Sequence, residues 1–116
     1  MTAPAVRIPT EQECEDTIVD AARRLGYLVH AERPARTATS WRTPVKGDAG
    51  WPDLVIAGHG RLWIVELKRK PNRLDPRQVE WNRRLTAAGV DARVVWVPSG
   101  QQALIDELTD HARKAR

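Results

Sequence analysis

Long apolar runs are missing from this chain. Its longest uninterrupted stretches, such as Leu54 to Ala57 and Leu62 to Val65, fall far short of the roughly 20 residues that cross a bilayer, so no membrane span is expected. Cysteine is nearly absent as well. Cys14 stands alone and cannot form an intrachain disulfide, and with three histidines there are too few ligands for a zinc cluster. A reducing cytoplasm is the expected setting. The start, Met1 to Thr10, holds prolines and an arginine but no apolar core, which excludes a secretory signal there. There is no internal repeat and no low-complexity tract.

What is present suits a small folded protein. The 116 residues are 41% hydrophobic and 29% charged, enough to bury one core and too few for two, so a single domain over 1–116 is expected, with 1–9 as a flexible tail. Lys and Arg number 19 against 15 Asp and Glu, a net charge of +4. That balance suits a polyanionic partner without establishing one. Arginines far outnumber lysines, which favours bidentate phosphate contacts.

The pattern along the chain alternates helix and strand. Thr10-Glu11-Gln12-Glu13 reads as a capping box, and Cys14, Ile18, Ala21, Ala22 and Leu25 fall on one stripe, so a helix over 11–25 ends at Gly26. Tyr27-Leu28-Val29 is a short strand. Residues 32–50, with Pro34, Pro44, Gly47 and Gly50 among Arg33, Arg36, Arg42 and Lys46, read as a long basic loop. Strands over 53–57 and 62–68 follow, joined by Gly58-His59-Gly60 as a tight turn. A helix from Pro76 to about Ala88 takes Val79, Leu85 and Ala88 as its apolar side. Ala92 to Val97, apolar but for Arg93, reads as a strand suited to a buried, parallel position. A helix from Gln101 to about Ala112 closes the order α-β-β-β-α-β-α, a mixed central sheet flanked by helices. Trp63 and Trp96 are expected in the core, and Trp41 or Trp51 is a candidate to stack on an unpaired base.

One constellation carries chemistry. Asp53 opens one strand, while Glu66 and Lys68, two apart, project from the same face of its hairpin partner. Charges that follow Trp63-Ile64-Val65 in a core strand are costly to bury unless they pair or bind something. Two carboxylates supply hard oxygen ligands for a magnesium ion that leaves positions open for water and a phosphate oxygen. A metal so held activates water for phosphodiester hydrolysis, and the Lys68 ammonium is placed to orient that water or offset developing charge. The alternative is an edge-strand salt bridge.

Pro52-Asp53 and, thirteen residues after Asp53, Glu66-Leu67-Lys68 resemble the PD-(D/E)XK nuclease signature. The wider string Gly50-Trp51-Pro52-Asp53-Leu54, Val65-Glu66-Leu67-Lys68, Gln78 and Trp81 is similar to the VRR-NUC branch of that superfamily, over about 11–108. The resemblance implies a PD-(D/E)XK restriction-endonuclease-like α/β fold. It further implies a Mg2+-dependent endodeoxyribonuclease, with Mn2+ as a substitute and no small-molecule cofactor, structure-selective in the manner of Holliday junction resolvases. The partners implied are DNA, including four-way junctions, and a second copy of the chain in a homodimer; if phage-encoded, it would work in the host cytoplasm.

Roles carried over by the resemblance are Asp53 and Glu66 as metal ligands, the Leu67 carbonyl as a third, Lys68 as the catalytic lysine, and Gln78 as a group holding the lysine, water or phosphate. A glutamate of the first helix completes the acidic cluster, either Glu11 or Glu15, with Glu11 slightly favoured. Arg33, Arg36, Arg42 and Lys46 before Asp53, and Arg69, Lys70 and Arg73 after the catalytic strand, are candidate phosphate contacts, salt-dependent and indifferent to sequence. A flap-, nick- or linear-DNA nuclease and a non-catalytic DNA-binding module are the competing readings.

Overall fold

A computed structural model describes residues 6–115, with 33–34, 37–40 and 43–45 excepted. The first helix, α1 (Glu11–Arg24), starts at the capping box read from the sequence. The Glu13 N–H donates to Thr10 Oγ1 at 3.1 Å and the Thr10 N–H to Glu13 Oε1 at 3.3 Å. Its fully buried stripe is Cys14, Ile18 and Ala22; Ala21 and Leu25 are only half-buried. Arg7, within the expected tail, holds both oxygens of Glu13 at 2.6 and 2.7 Å.

Strand β1 (Leu28–Ala31) begins one residue later and runs further than expected. The stretch read as a basic loop carries a two-residue antiparallel ladder, β2 (Ala35–Arg36) against β3 (Trp41–Arg42). Strands β4 (Leu54–Gly58) and β5 (Arg61–Lys68) form the expected hairpin. Its turn residues are His59 and Gly60, both at positive φ (50° and 78°), the geometry of a two-residue turn that matches strand twist. Gly58 serves a different purpose: a Cβ there would sit 2.7 Å from Tyr27 Cδ1. Helix α2 (Pro76–Ala87), strand β6 (Asp91–Trp96) and helix α3 (Gln101–Lys114) complete the chain.

The main sheet runs in the order β1-β4-β5-β6, antiparallel as far as β5, with β6 parallel to β5 at the edge. Strand alternation gives it two unlike faces. Trp63, Val65 and Leu67 of β5 join Leu54 and Ile56 beneath Cys14, Ile18, Leu104 and Leu108, so α1 and α3 cover this face and the core lies there. Tyr27 ties the two ends of the chain into it, its hydroxyl donating to the Leu108 carbonyl at 2.7 Å. Glu66 looks to the opposite face, where α2 lies.

Helix α2 buries none of its residues, contrary to the apolar side expected of Val79, Leu85 and Ala88; Val79 is 49% exposed and Leu85 half-buried. Polar and aromatic contacts attach it instead. Trp96 is likewise 36% exposed rather than core, because it lies on the edge strand and alternates with the buried Val95 and Val97. Among the described residues no helix is long and apolar enough to cross a membrane.

Candidate active site

The acids converge where the β4–β5 hairpin opens. Leu54 pairs with Val65, so Asp53 lies one step beyond the ladder, beside Glu66. There its Oδ2 accepts a 2.8 Å hydrogen bond from the Leu67 N–H. Glu66 is the sole charged residue among the buried ones described, 3% exposed in a run of five buried residues from Trp63 to Leu67. Gln78 Nε2 donates to its Oε1 at 2.7 Å, while its Oε2 is buried without a partner.

Gln78 does two jobs at once. Its Oε1 accepts from the Asp75 N–H at 2.9 Å, closing a capping box at the start of α2, and its amide nitrogen faces Glu66. The helix N-terminus and the buried carboxylate are thereby fixed to each other. The Asp75-Pro76-Arg77-Gln78 spacing carries this box in the sequence, in addition to the proline at the first helical position.

Electrostatics mark the cluster as strained toward neutrality. Burial, then the nearby Asp53 charge, push the Glu66 carboxyl up to about 8. Burial raises Asp53 as well, opposed by the Leu67 N–H. Glu11, on the first turn of α1, is raised by burial and then by Asp53, opposed by Lys68 and the Arg69 backbone. The Lys68 charge acts against the rise in all three. Glu15 lies a turn further along α1, about 6 Å along the axis. It lines a separate cleft with Arg23, Leu28 and Ala31.

The donor chemistry fits a hard divalent cation. A buried carboxylate oxygen with no hydrogen-bond partner, next to a second carboxylate, is what such an ion satisfies. Among the described residues no three Asp, Glu, His or Cys side chains close into a ligand cage. Magnesium needs none, since it is held by one or two carboxylates and keeps several waters.

The basic residues surround this end unevenly. Lys46, Lys70 and Arg73 are exposed, and Arg69 is half-buried with its Nε lacking a partner. Arg33 and the side chains of Arg36, Arg42 and Trp41 fall outside the described residues.

The segment carrying Asp53 is docked on α2. Trp81 Nε1 donates to the Ala49 carbonyl at 3.0 Å, and the Trp51 and Trp81 rings meet edge to face with centroids 5.1 Å apart. Between them Gly50 takes φ +103°, where a Cβ would lie 2.7 Å from the Arg77 carbonyl carbon. Gly50→Ala therefore meets both a disfavoured backbone and a wall of main chain. It is expected to cost about 2 kcal/mol or more in urea unfolding, and to lower any activity of the site by displacing Asp53.

No protein-family model matches the sequence, and no curated protein matches it. A solved structure described as a "VRR_NUC domain" superposes with a TM-score of 0.61 at 25% identity, covering 87% of this chain and 95% of that one. The chain thus has a VRR_NUC-like fold, that of a nuclease-like domain.

Proposed function

We propose that the chain is a metal-dependent DNA endonuclease, structure-selective and acting on four-way junctions as a two-fold homodimer. The observation that carries the nuclease reading is the buried, unpartnered Glu66 oxygen beside Asp53, with the Lys68 charge offsetting both carboxyls, at the end of a VRR_NUC-like sheet.

Asp53 and Glu66 would hold Mg2+, or Mn2+ in its place, with the Leu67 carbonyl as a third oxygen. When bound, the ion lowers the pKa of an attacking water and offsets charge on the phosphorus centre. The Leu67 N–H holds Asp53 and Gln78 holds Glu66, so both carboxylates are oriented before substrate arrives. Lys68, whose charge offsets the burial of three nearby carboxyls, orients the water and meets the charge that develops on phosphate oxygens. Glu11, facing Asp53 and Lys68 rather than the far cleft of Glu15, positions that ammonium. Arg33, Arg36, Arg42, Lys46, Arg69, Lys70 and Arg73 contact phosphates and make affinity salt-dependent.

A resolvase cuts two strands symmetrically, which is the argument for the homodimer. The test is cleavage of a labelled four-way junction and its matched linear duplex in Mg2+ or EDTA. Paired symmetric nicks confined to the junction and absent in EDTA are expected. Equal cutting of linear DNA would remove the junction claim and leave a nuclease; binding without cutting in either metal would leave a DNA-binding module.

A further inference from the structure

The tryptophan pair at the edge of the acidic cluster has no part in the chemistry above. Trp51 keeps 36% of its surface exposed although it lies between a docked glycine and the buried Pro52. Its ring is held edge to face on Trp81, whose own N–H is committed to Ala49, and Gly50 locks the intervening backbone against α2. An exposed indole packed on Trp81, on a backbone fixed at Gly50, is a platform with less rotamer freedom to lose than a free side chain.

A cleft of about 300 Å³ opens beside it, with Trp51, Asp53, Arg77 and the carboxylates of Glu32, Asp48 and Asp75 among its lining. This volume is at the lower end of those that enclose small ligands. The cleft is therefore continuous from the indole to the Asp53 carboxylate. Two residues of chain reach at most about 7 Å, about one nucleotide step, and Trp51 and Asp53 line the same cleft, so a base against Trp51 belongs to a nucleotide at or beside a phosphate at Asp53. Arg77 at the rim is paired with Asp75 at 3.0 Å yet stays largely exposed, with guanidinium donors left for a phosphate.

We propose that Trp51 is a stacking platform for one unstacked DNA base next to the scissile phosphate, so the preferred substrate exposes a base face at the cut, as an unpaired nucleotide or the branch point of an opened four-way junction does. A base inside a continuous duplex has both faces covered by its neighbours and cannot use this surface. The inference rests on the nuclease reading of the acidic cluster and narrows its substrate.

The test measures binding in Ca2+, to suppress turnover, of wild type, Trp51→Ala and Trp51→Tyr to a single-stranded oligonucleotide and its duplex. Trp51→Ala is expected to weaken the single strand about tenfold with duplex binding unchanged, and Trp51→Tyr to stay within about threefold of wild type. A second arm removes one base at a time from a substrate whose cut site has been mapped in Mg2+. One abasic position, beside the cut, is expected to cost wild type about tenfold and Trp51→Ala nothing. This arm stays decisive if Trp51→Ala folds poorly, because the wild-type profile alone must show the single sensitive position. Equal losses on single strand and duplex, or a flat abasic profile in a protein that still cuts, would overturn the platform and leave the nuclease. If Mg2+ yields no cut to map, the nuclease reading falls and this inference with it, whatever the binding arm shows.

Discussion

Glu66→Gln is expected to abolish metal-dependent DNA cleavage and, in EDTA at pH 8, to melt at a higher temperature than wild type. The two effects share one cause. In the fold Glu66 titrates at about 8, against an ordinary carboxyl near 4.5, because it is buried beside Asp53. Folding thus favours its protonated form. The stability this contributes is complete below about pH 4.5 and is lost as pH rises through about 8, at up to about 1.4 kcal/mol per pH unit. For a domain of this size 1 kcal/mol corresponds to about 4 °C in Tm.

Glutamine has the same shape and no charge to desolvate. Its amide oxygen keeps the bond from Gln78, and its nitrogen has the Asp53 carboxylate to donate to. The wild-type Tm should therefore fall between pH 5 and 8 in EDTA while the variant's changes much less. Added Mg2+ should raise the wild-type Tm more at pH 8 than at pH 6, since the ion needs the carboxylate form, and should leave Glu66→Gln unmoved. Parallel melting curves in EDTA would mean that Glu66 is not held protonated by its surroundings.

Lys68→Ala should lower the single-turnover cleavage rate by about 10²–10³-fold, the scale at which a pre-oriented charged donor contributes to a transition state. Mn2+ binding should survive, because the proposed ligands are untouched. DNA affinity should change only a few-fold, since the remaining basic residues carry it. Without Lys68 the carboxyls of Glu11, Asp53 and Glu66 lose the cation that offsets their burial. The variant's loss of stability on raising pH should then be steeper than that of wild type. A rate within tenfold of wild type would reduce Lys68 to an ion-pair partner.

Much of this arrangement was legible in the chain because it is local. The Thr10–Glu13 box, the hairpin around His59-Gly60 and the same-face pair Glu66 and Lys68 follow from spacing alone. The parallel placement of β6 was foreshadowed by the apolar run Val94 to Val97, although as an edge strand it is mostly half-buried rather than core. What could not be read depends on distant parts meeting. Gly58 looks like a turn residue but is small to admit Tyr27. Trp96 looks like core until its strand proves to be an edge, and α2 is attached through Gln78 and Trp81 rather than through Val79 and Ala88.

Glu11 and Glu15 share one side of α1 and differ only by a helical turn, so the choice between them needed the position of Asp53 relative to that helix. Gln78 was anticipated near the lysine, water or phosphate. The structure has it capping α2, which the Asp75–Gln78 spacing carries, and holding Glu66, a connection across 12 residues that spacing does not reveal.

The most direct test of the proposed site is Mg2+-dependent cleavage of labelled DNA by four purified proteins: wild type, Glu66→Gln, Glu11→Gln and Glu15→Gln. The proposed assignment requires cutting by wild type that EDTA stops, none by Glu66→Gln, a rate at least tenfold lower for Glu11→Gln, and a rate within twofold of wild type for Glu15→Gln. Cutting by Glu66→Gln at the wild-type rate would contradict it, since the buried carboxylate would then have no part in the reaction.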